Sequence, residues 1–200
     1  MKVLDPRAPY VINVRDLGRR PGSMQTVERT APALPDLGSG LAKVPEGSDV
    51  DLQLRLESVV EGVLVTGSAR VEVEAECSRC LDPIAWEEEA DFTELFSYPQ
   101  LDARGRAVPD EPSDEDEAPL RVEDDLLDLE STVRDAVVLR LPLAPVCDPG
   151  CAGLCPRCGV RLDDEPGHGH EALDPRWAAL GTLRVDESAP AQPEPEKKEG

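Results

Sequence analysis

Two stretches near the middle of the chain alternate between apolar and polar residues. Val50, Leu52, Leu54 and Leu56 take turns with Asp51, Gln53, Arg55 and Glu57, the period of a half-buried strand. Glu61-Gly62 turns it. Val63, Val65, Gly67, Ala69, Val71, Val73 and Ala75 then hold one phase, which Cys77 continues. After Cys80-Leu81-Asp82-Pro83, a third strand carries Ile84, Trp86, Ala90, Phe92 and Phe96 on one face, interrupted by Glu88 and Glu94. The simplest topology is an antiparallel hairpin whose connection is Cys77–Pro83. A short strand is expected over 8–16, from Tyr10, Ile12 and Val14, ended by Gly18, Pro21 and Gly22. Residues 21–48, rich in Pro and Gly without a sustained period, read as an irregular connection. Helical spacing runs through Leu126, Leu129, Val133, Val137 and Leu141 until Pro142 stops it. Asp124 suits its N-cap, and Asp125 and Asp128 suit the positive end of its dipole. Asp174-Pro175 opens a short second helix through Trp177 and Leu180.

Composition changes this picture in two ways. With two each of Trp, Tyr and Phe but 20 Pro and 15 Gly in 200 residues, the core must be small and built of Val, Leu and Ala, a case that often needs a metal or disulfide staple. Charge is lopsided. The chain nets -21, yet residues 1–44 net +3 and the remainder nets -24. A surface that acidic repels phosphate backbones and attracts basic proteins, so any direct RNA contact falls to the N-terminal arm around Arg15, Arg19 and Arg20. The opening Met1-Lys2-Val3-Leu4 lacks the apolar run of an export signal, and no apolar stretch approaches the roughly 20 residues of a membrane span. A reducing cytoplasmic location is the expectation.

In such a compartment the six cysteines read as metal ligands. They fall as Cys77-x2-Cys80 and Cys147-x3-Cys151-x3-Cys155-x2-Cys158, with His168-x-His170 ten residues on. A two-residue gap lets both thiolates of one turn face the same zinc ion. In Cys155-Pro156-Arg157-Cys158-Gly159 the proline stiffens the entry, and the glycine lets the chain turn past the second sulfur. Six cysteines in two tight clusters argue against simple core filling. A redox pair is disfavoured because neither opens a helix within a βαβ unit. Iron–sulfur binding and regulated disulfides are lesser alternatives to one or two zinc ions. The grouping stays open: Cys77, Cys80, Cys147 and Cys151 with a second set of Cys155, Cys158, His168 and His170, or one ribbon-like site from Cys77, Cys80, Cys155 and Cys158. Nothing else suggests an enzyme: there is no nucleophile elbow, no phosphate-binding loop with Lys and no His-Glu-x-x-His. Acidic runs such as Asp114–Glu117 read as solvated faces.

Taken in order, several motifs resemble the YceD family. They are Val14-Arg15-Asp16-Leu17-Gly18-Arg19-Arg20-Pro21-Gly22-Ser23, Glu76-Cys77-Ser78-Arg79-Cys80-Leu81, Leu141-Pro142-Leu143-Ala144-Pro145-Val146-Cys147, Cys151–Gly159 and Asp174-Pro175-Arg176-Trp177-Ala178-Ala179-Leu180. The resemblance spans about residues 10–183. It implies a factor needed for accumulation of large-subunit ribosomal RNA. Together with the acidic charge and the lack of a long apolar stretch, the expected partners are ribosomal proteins or large-subunit assembly intermediates, with no membrane or small-molecule substrate. His168 and His170 stand where some relatives have Cys-x-Cys. The expected fold is α+β: an antiparallel sheet or small partly open barrel with one main helix, a short C-terminal helix and a cysteine-rich zinc-binding segment. A flexible terminus over 1–9 would precede a single domain over 10–183, containing an acidic loop at 99–119 and a Cys/His segment at 147–170. Residues 184–200 would form a disordered tail. The function expected is binding, either of a basic protein by the acidic surface or of RNA directly by a zinc-ribbon-like module and the basic arm.

Overall fold

The computed structural model describes residues 4–99 and 120–170. In chain order its elements are β1 (Val11–Asn13), β2 (Met24–Pro32), β3 (Gly38–Ser39), β4 (Ala42–Lys43), β5 (Asp49–Ser58), β6 (Gly62–Glu76), β7 (Pro83–Ser97), β8 (Leu126–Asp128) and α1 (Glu130–Arg140). The main sheet is antiparallel, with β2-β5-β6-β7 side by side and the β3–β4 hairpin continuing β5's flank along the far end of β6. It is open, not a closed barrel, with β2 and β7 at its edges.

The alternation dictates the layers. Val50, Leu52, Leu54 and Leu56 on β5, with Val63, Val65, Ala69, Val71 and Val73 on β6, are all at most 2% exposed and form the inner face. Their register, Val50↔Val71 through Leu56↔Val65, stacks one apolar row against the other. The β1–β8 pair and α1 cover that face, contributing Tyr10, Ile12, Leu127, Leu129, Val133 and Val137 to the same core. On β7 Glu88 does not interrupt the expected face: it is half-buried on it, accepting from Trp86 Nε1 at 3.0 Å and pairing with Arg140 of α1 at 3.3 Å, whereas Glu94 is exposed and does interrupt it.

Three expectations give way. Residues 21–48 are not irregular: β2 runs for nine residues and pairs with β5 from Met24↔Glu57 to Pro32↔Asp49. Its inward positions are Gln25, Val27, Arg29 and Ala31, too polar to register as a strand. Arg29 is accommodated because its guanidinium donates to the Val11 carbonyl at 2.6 Å, tying the sheet edge to β1. The helix starts later than its periodicity suggests, because Leu126–Asp128 is extended and pairs with Val11–Asn13. Asp124 is no N-cap; with Asp125 it takes a left-handed conformation (φ 50° and 62°) in the turn before β8. Asp128 does serve the helix start, its carboxylate accepting the Glu130 N–H at 3.0 Å. The strand expected over 8–16 is confined to β1, since Tyr10 and Val14 flank it in other roles. Beyond its first residue the 99–119 loop lies outside the described residues, as do the Asp174-Pro175 helix and the tail. Among the described residues no helix is long and apolar enough to cross a membrane.

Candidate metal centre

The β6–β7 hairpin ends in a turn that the sequence then builds a second time. In the first, the Cys77 N–H donates to the Asp82 carbonyl (2.8 Å) and the Leu81 N–H donates back to the Cys77 carbonyl (2.9 Å). In the second, the Cys155 N–H donates to the Val160 carbonyl and the Gly159 N–H to the Cys155 carbonyl, both at 2.8 Å. The residue after each second cysteine is left-handed, Leu81 at φ 63° and Gly159 at φ 74°. Glycine occupies that region freely; leucine there costs about 1 kcal/mol. Both turns aim two sulfurs to one side of the backbone.

Each turn finds a second pair of donors. Cys77 and Cys80 meet Cys147 and Cys151 from the segment after α1, and Cys155 and Cys158 meet His168 and His170. Within each group the ligand atoms lie within 4.8 Å of one another. This is the two-site grouping; Cys77, Cys80, Cys155 and Cys158 do not form a single ribbon-like site. All six cysteines are free thiols, so the close sulfurs are not disulfides.

The donor sets fit a zinc-like ion. Zn–S bonds of about 2.3 Å in a tetrahedron put neighbouring sulfurs about 3.8 Å apart. Cys77 Sγ and Cys151 Sγ are 3.9 Å apart, and Cys80 Sγ and Cys147 Sγ 3.6 Å. In the second group, Cys158 Sγ lies 3.2 Å from the Nε2 of both histidines, whose Nε2 atoms are 3.1 Å apart. The Nδ1 of His168 faces the Glu165 carboxylate at 3.2 Å. A proton held there leaves Nε2 a free lone pair toward the sulfurs, the outer-shell arrangement common to ligating histidines.

Electrostatics split the thiols of the first turn and lower one thiol of the second. The Cys77 thiol is lowered to about 6 by backbone N–H groups of Cys80 and Cys147. The Cys155 thiol is lowered to about 6 by those of Arg157 and Cys158. Cys80 also accepts from the Asp82 N–H, but burial and the surrounding sulfurs outweigh it and push its thiol up to about 12. Burial raises Cys151 as well. Each turn therefore holds one thiol ready to ligate at neutral pH, and in the first turn a cation would draw the proton from Cys80.

Exposure distinguishes the groups. Cys77, Cys80 and Cys151 are buried and only Cys147 is open to water, whereas Cys158 and His170 are both exposed. Around the first group the backbone is interlocked. Ser78 N–H donates to the Pro145 carbonyl (2.8 Å), Leu154 N–H to that of Arg79 (3.0 Å), and the Arg79 guanidinium reaches the Cys151 carbonyl (2.9 Å). Gly153 is needed at this crossing: its φ is 79°, and a Cβ would stand 2.9 Å from the Arg79 carbonyl oxygen. Sequence reasoning missed Arg79, Asp82 and Arg161. The last two form a two-pronged ion pair at 2.6 and 2.7 Å that holds the Asp82 carboxyl below its usual range. No local spacing could reveal a pair 79 residues apart.

The basic arm is placed differently from the metal centre. Arg15 and Arg19 both lie beside Asp125, at 3.6 and 3.8 Å, and Arg19 also stacks 4.8 Å from the Tyr98 ring centre. Arg20 is exposed.

Comparison with known proteins places the fold and the cysteine turns in context. An uncharacterized protein of Mycobacterium tuberculosis is 45% identical over 181 residues, covering 90% of this chain and 84% of its own. One of Mycobacterium leprae is 37% identical over 193 residues, covering 96% and 84%. A chloroplastic protein of Arabidopsis thaliana, named large ribosomal RNA subunit accumulation protein YCED homolog 1, is 34% identical over 59 residues, 29% of this chain and 18% of that one. No solved structure matches. The family described as large ribosomal RNA subunit accumulation protein YceD matches residues 65–184, from near the start of β6 past both cysteine groups, and the chain belongs to that family.

Proposed function

We propose that this protein supports accumulation of large-subunit ribosomal RNA as a zinc-stabilised binding protein whose acidic surface engages a basic partner, a ribosomal protein or an assembly intermediate rich in one. The ribosomal role is supported by the family and by the name of the plant relative. The mode of action is supported by one observation, the outward face of the sheet. Glu72, Glu74 and Glu76 of β6 and Glu87, Glu89 and Asp91 of β7 all point to solvent. Glu72 stands directly opposite Glu87 in the ladder, a like-charge pair that weakens a sheet. Arg70, 3.5 Å from Glu89, and Lys43, opposite Glu74 in the ladder, offset two of the six. A face that costs stability and is predominantly negative suits lysine- and arginine-rich chains.

The two four-ligand groups are the proposed zinc sites, and their role is to hold the chain segment after α1 against the sheet. Closed sets of four protein ligands are structural, since a catalytic zinc keeps a position for water. Binding, not catalysis, is the reading. Direct RNA binding through Arg15 and Arg19 is less favoured because Asp125 already neutralises part of their charge.

Depleting the protein should lower mature large-subunit ribosomal RNA and leave free small subunits in excess on a sucrose gradient. An unchanged subunit ratio and unchanged large-subunit RNA in depleted cells would remove the ribosomal role.

A further inference from the structure

Past Leu141 the described chain adds nothing to the main apolar core; the only cluster of buried side chains it joins is Cys77, Cys80 and Cys151. What holds residues 142–170 in place is therefore the two ligand groups and the few polar bonds between them. One of those bonds has a particular position. Asp82 closes the first turn through its backbone, as the acceptor of the Cys77 N–H, while its carboxylate takes both prongs of Arg161. Arg161 follows Val160, whose carbonyl closes the second turn by accepting the Cys155 N–H, and it pairs with Leu154, the residue before Cys155. The Asp82–Arg161 pair thus joins the closing bond of one turn to the closing bond of the other.

We propose that the Asp82–Arg161 ion pair couples the two metal sites, so that a metal in either raises the affinity of the other and the pair loads as one unit. The inference rests on reading both groups as zinc sites. A metal at Cys77, Cys80, Cys147 and Cys151 fixes the first turn and with it the Asp82 carboxylate. Arg161 is then held, the strand bridge it belongs to is in place, and the second turn is ordered before its own metal arrives. The ordering done by the first ion need not be repeated by the second, which is positive coupling without a change of shape. Coupling is reciprocal, so the factor is the same from either side. Both partners are about two-fifths exposed, which places the effect at the low end of allosteric couplings, about fivefold.

The test uses the full-length chain under reducing conditions, with zinc affinities read by competition against a chromogenic chelator. Cobalt(II) spectra identify which site is filled, since four-sulfur and two-sulfur, two-nitrogen sets absorb differently. Cys80→Ser disables the first site; the second should then bind zinc about fivefold more weakly than in the parent chain. Arg161→Met keeps all eight ligands, and in its background the same Cys80→Ser comparison should give a ratio near one. His170→Ala supplies the reciprocal arm, lowering the first site's affinity about fivefold, and decides the matter where Cys80→Ser does not fold. Two zinc ions bound with a ratio near one in the parent, or a ratio that survives Arg161→Met, overturns the coupling while leaving the metal sites intact. A parent chain that takes up no zinc removes the metal reading and the coupling together.

Discussion

Cys80→Ser should release the chain segment after α1 while leaving the sheet folded. The four sulfurs around Cys80 are the main anchor between the β6–β7 turn and residues 147–151, and the apolar core holds none of that segment. Structural zinc contributes on the order of 10 kcal/mol, and for a segment without a core of its own that binding energy is folding energy. Serine replaces a thiolate by a hydroxyl that stays protonated, so the first ion should be lost. Hydrogen exchange should then show the Ser78 and Leu154 amides, which donate to Pro145 and Arg79, losing protection. Amides between β5 and β6 should keep theirs, because the strands pack through Val50, Leu52, Leu54 and Leu56 with no cysteine among them. A strong chelator should reproduce this pattern in the unmodified protein. Ser78→Ala should leave both regions protected, since only the backbone of Ser78 is engaged. Simultaneous loss of all amide protection in Cys80→Ser would mean that the sheet and the cysteine segment are one cooperative unit.

The second large effect runs in opposite directions for stability and binding. Glu87→Lys sets an ammonium opposite Glu72 in place of a second carboxylate, and should raise stability by about 0.5 kcal/mol. Combined with Asp91→Lys, on the same strand and the same face, it should weaken binding of a lysine- and arginine-rich peptide by about tenfold at low salt, because two attractive charges become repulsive ones. Thermal melts and peptide titrations on the same preparations read both signs. A Glu87→Lys variant that melts lower would remove the repulsion argued for Glu72 and Glu87, and a double variant that binds the peptide as tightly as the parent would show that this face is not the docking surface.

Much of this molecule is written in its local pattern. Alternation through Val50–Leu56 and Val63–Ala75 is a period-2 signal with few exceptions, and it yields the two central strands and their inner face. The cysteine spacings likewise yield both turns, because a two-residue gap has a direct geometric meaning. Where the pattern misleads, a long-range contact is responsible. β2 carries Arg29 on its inward side, and only the Val11 carbonyl from a separate strand makes that position tolerable. Leu126 and Leu129 continue the helical phase of Val133 and Val137, yet pairing with Val11–Asn13 draws Leu126–Asp128 into a strand. The partition of eight ligands into two fours depends on which segment meets the hairpin end, and Ser78 to Pro145 and Arg79 to Leu154 decide it. Those contacts span more than sixty residues and leave no local trace.

The most direct test of the account is capture of the tagged protein from lysate treated with nuclease, over a series of salt concentrations, beside the Glu87→Lys, Asp91→Lys variant. The acidic-surface account predicts that ribosomal proteins or other large-subunit assembly factors survive the nuclease, fall away as salt rises, and are depleted with the variant. Loss of every association on nuclease treatment, together with tight binding of naked large-subunit RNA by the purified protein at physiological salt, would contradict it.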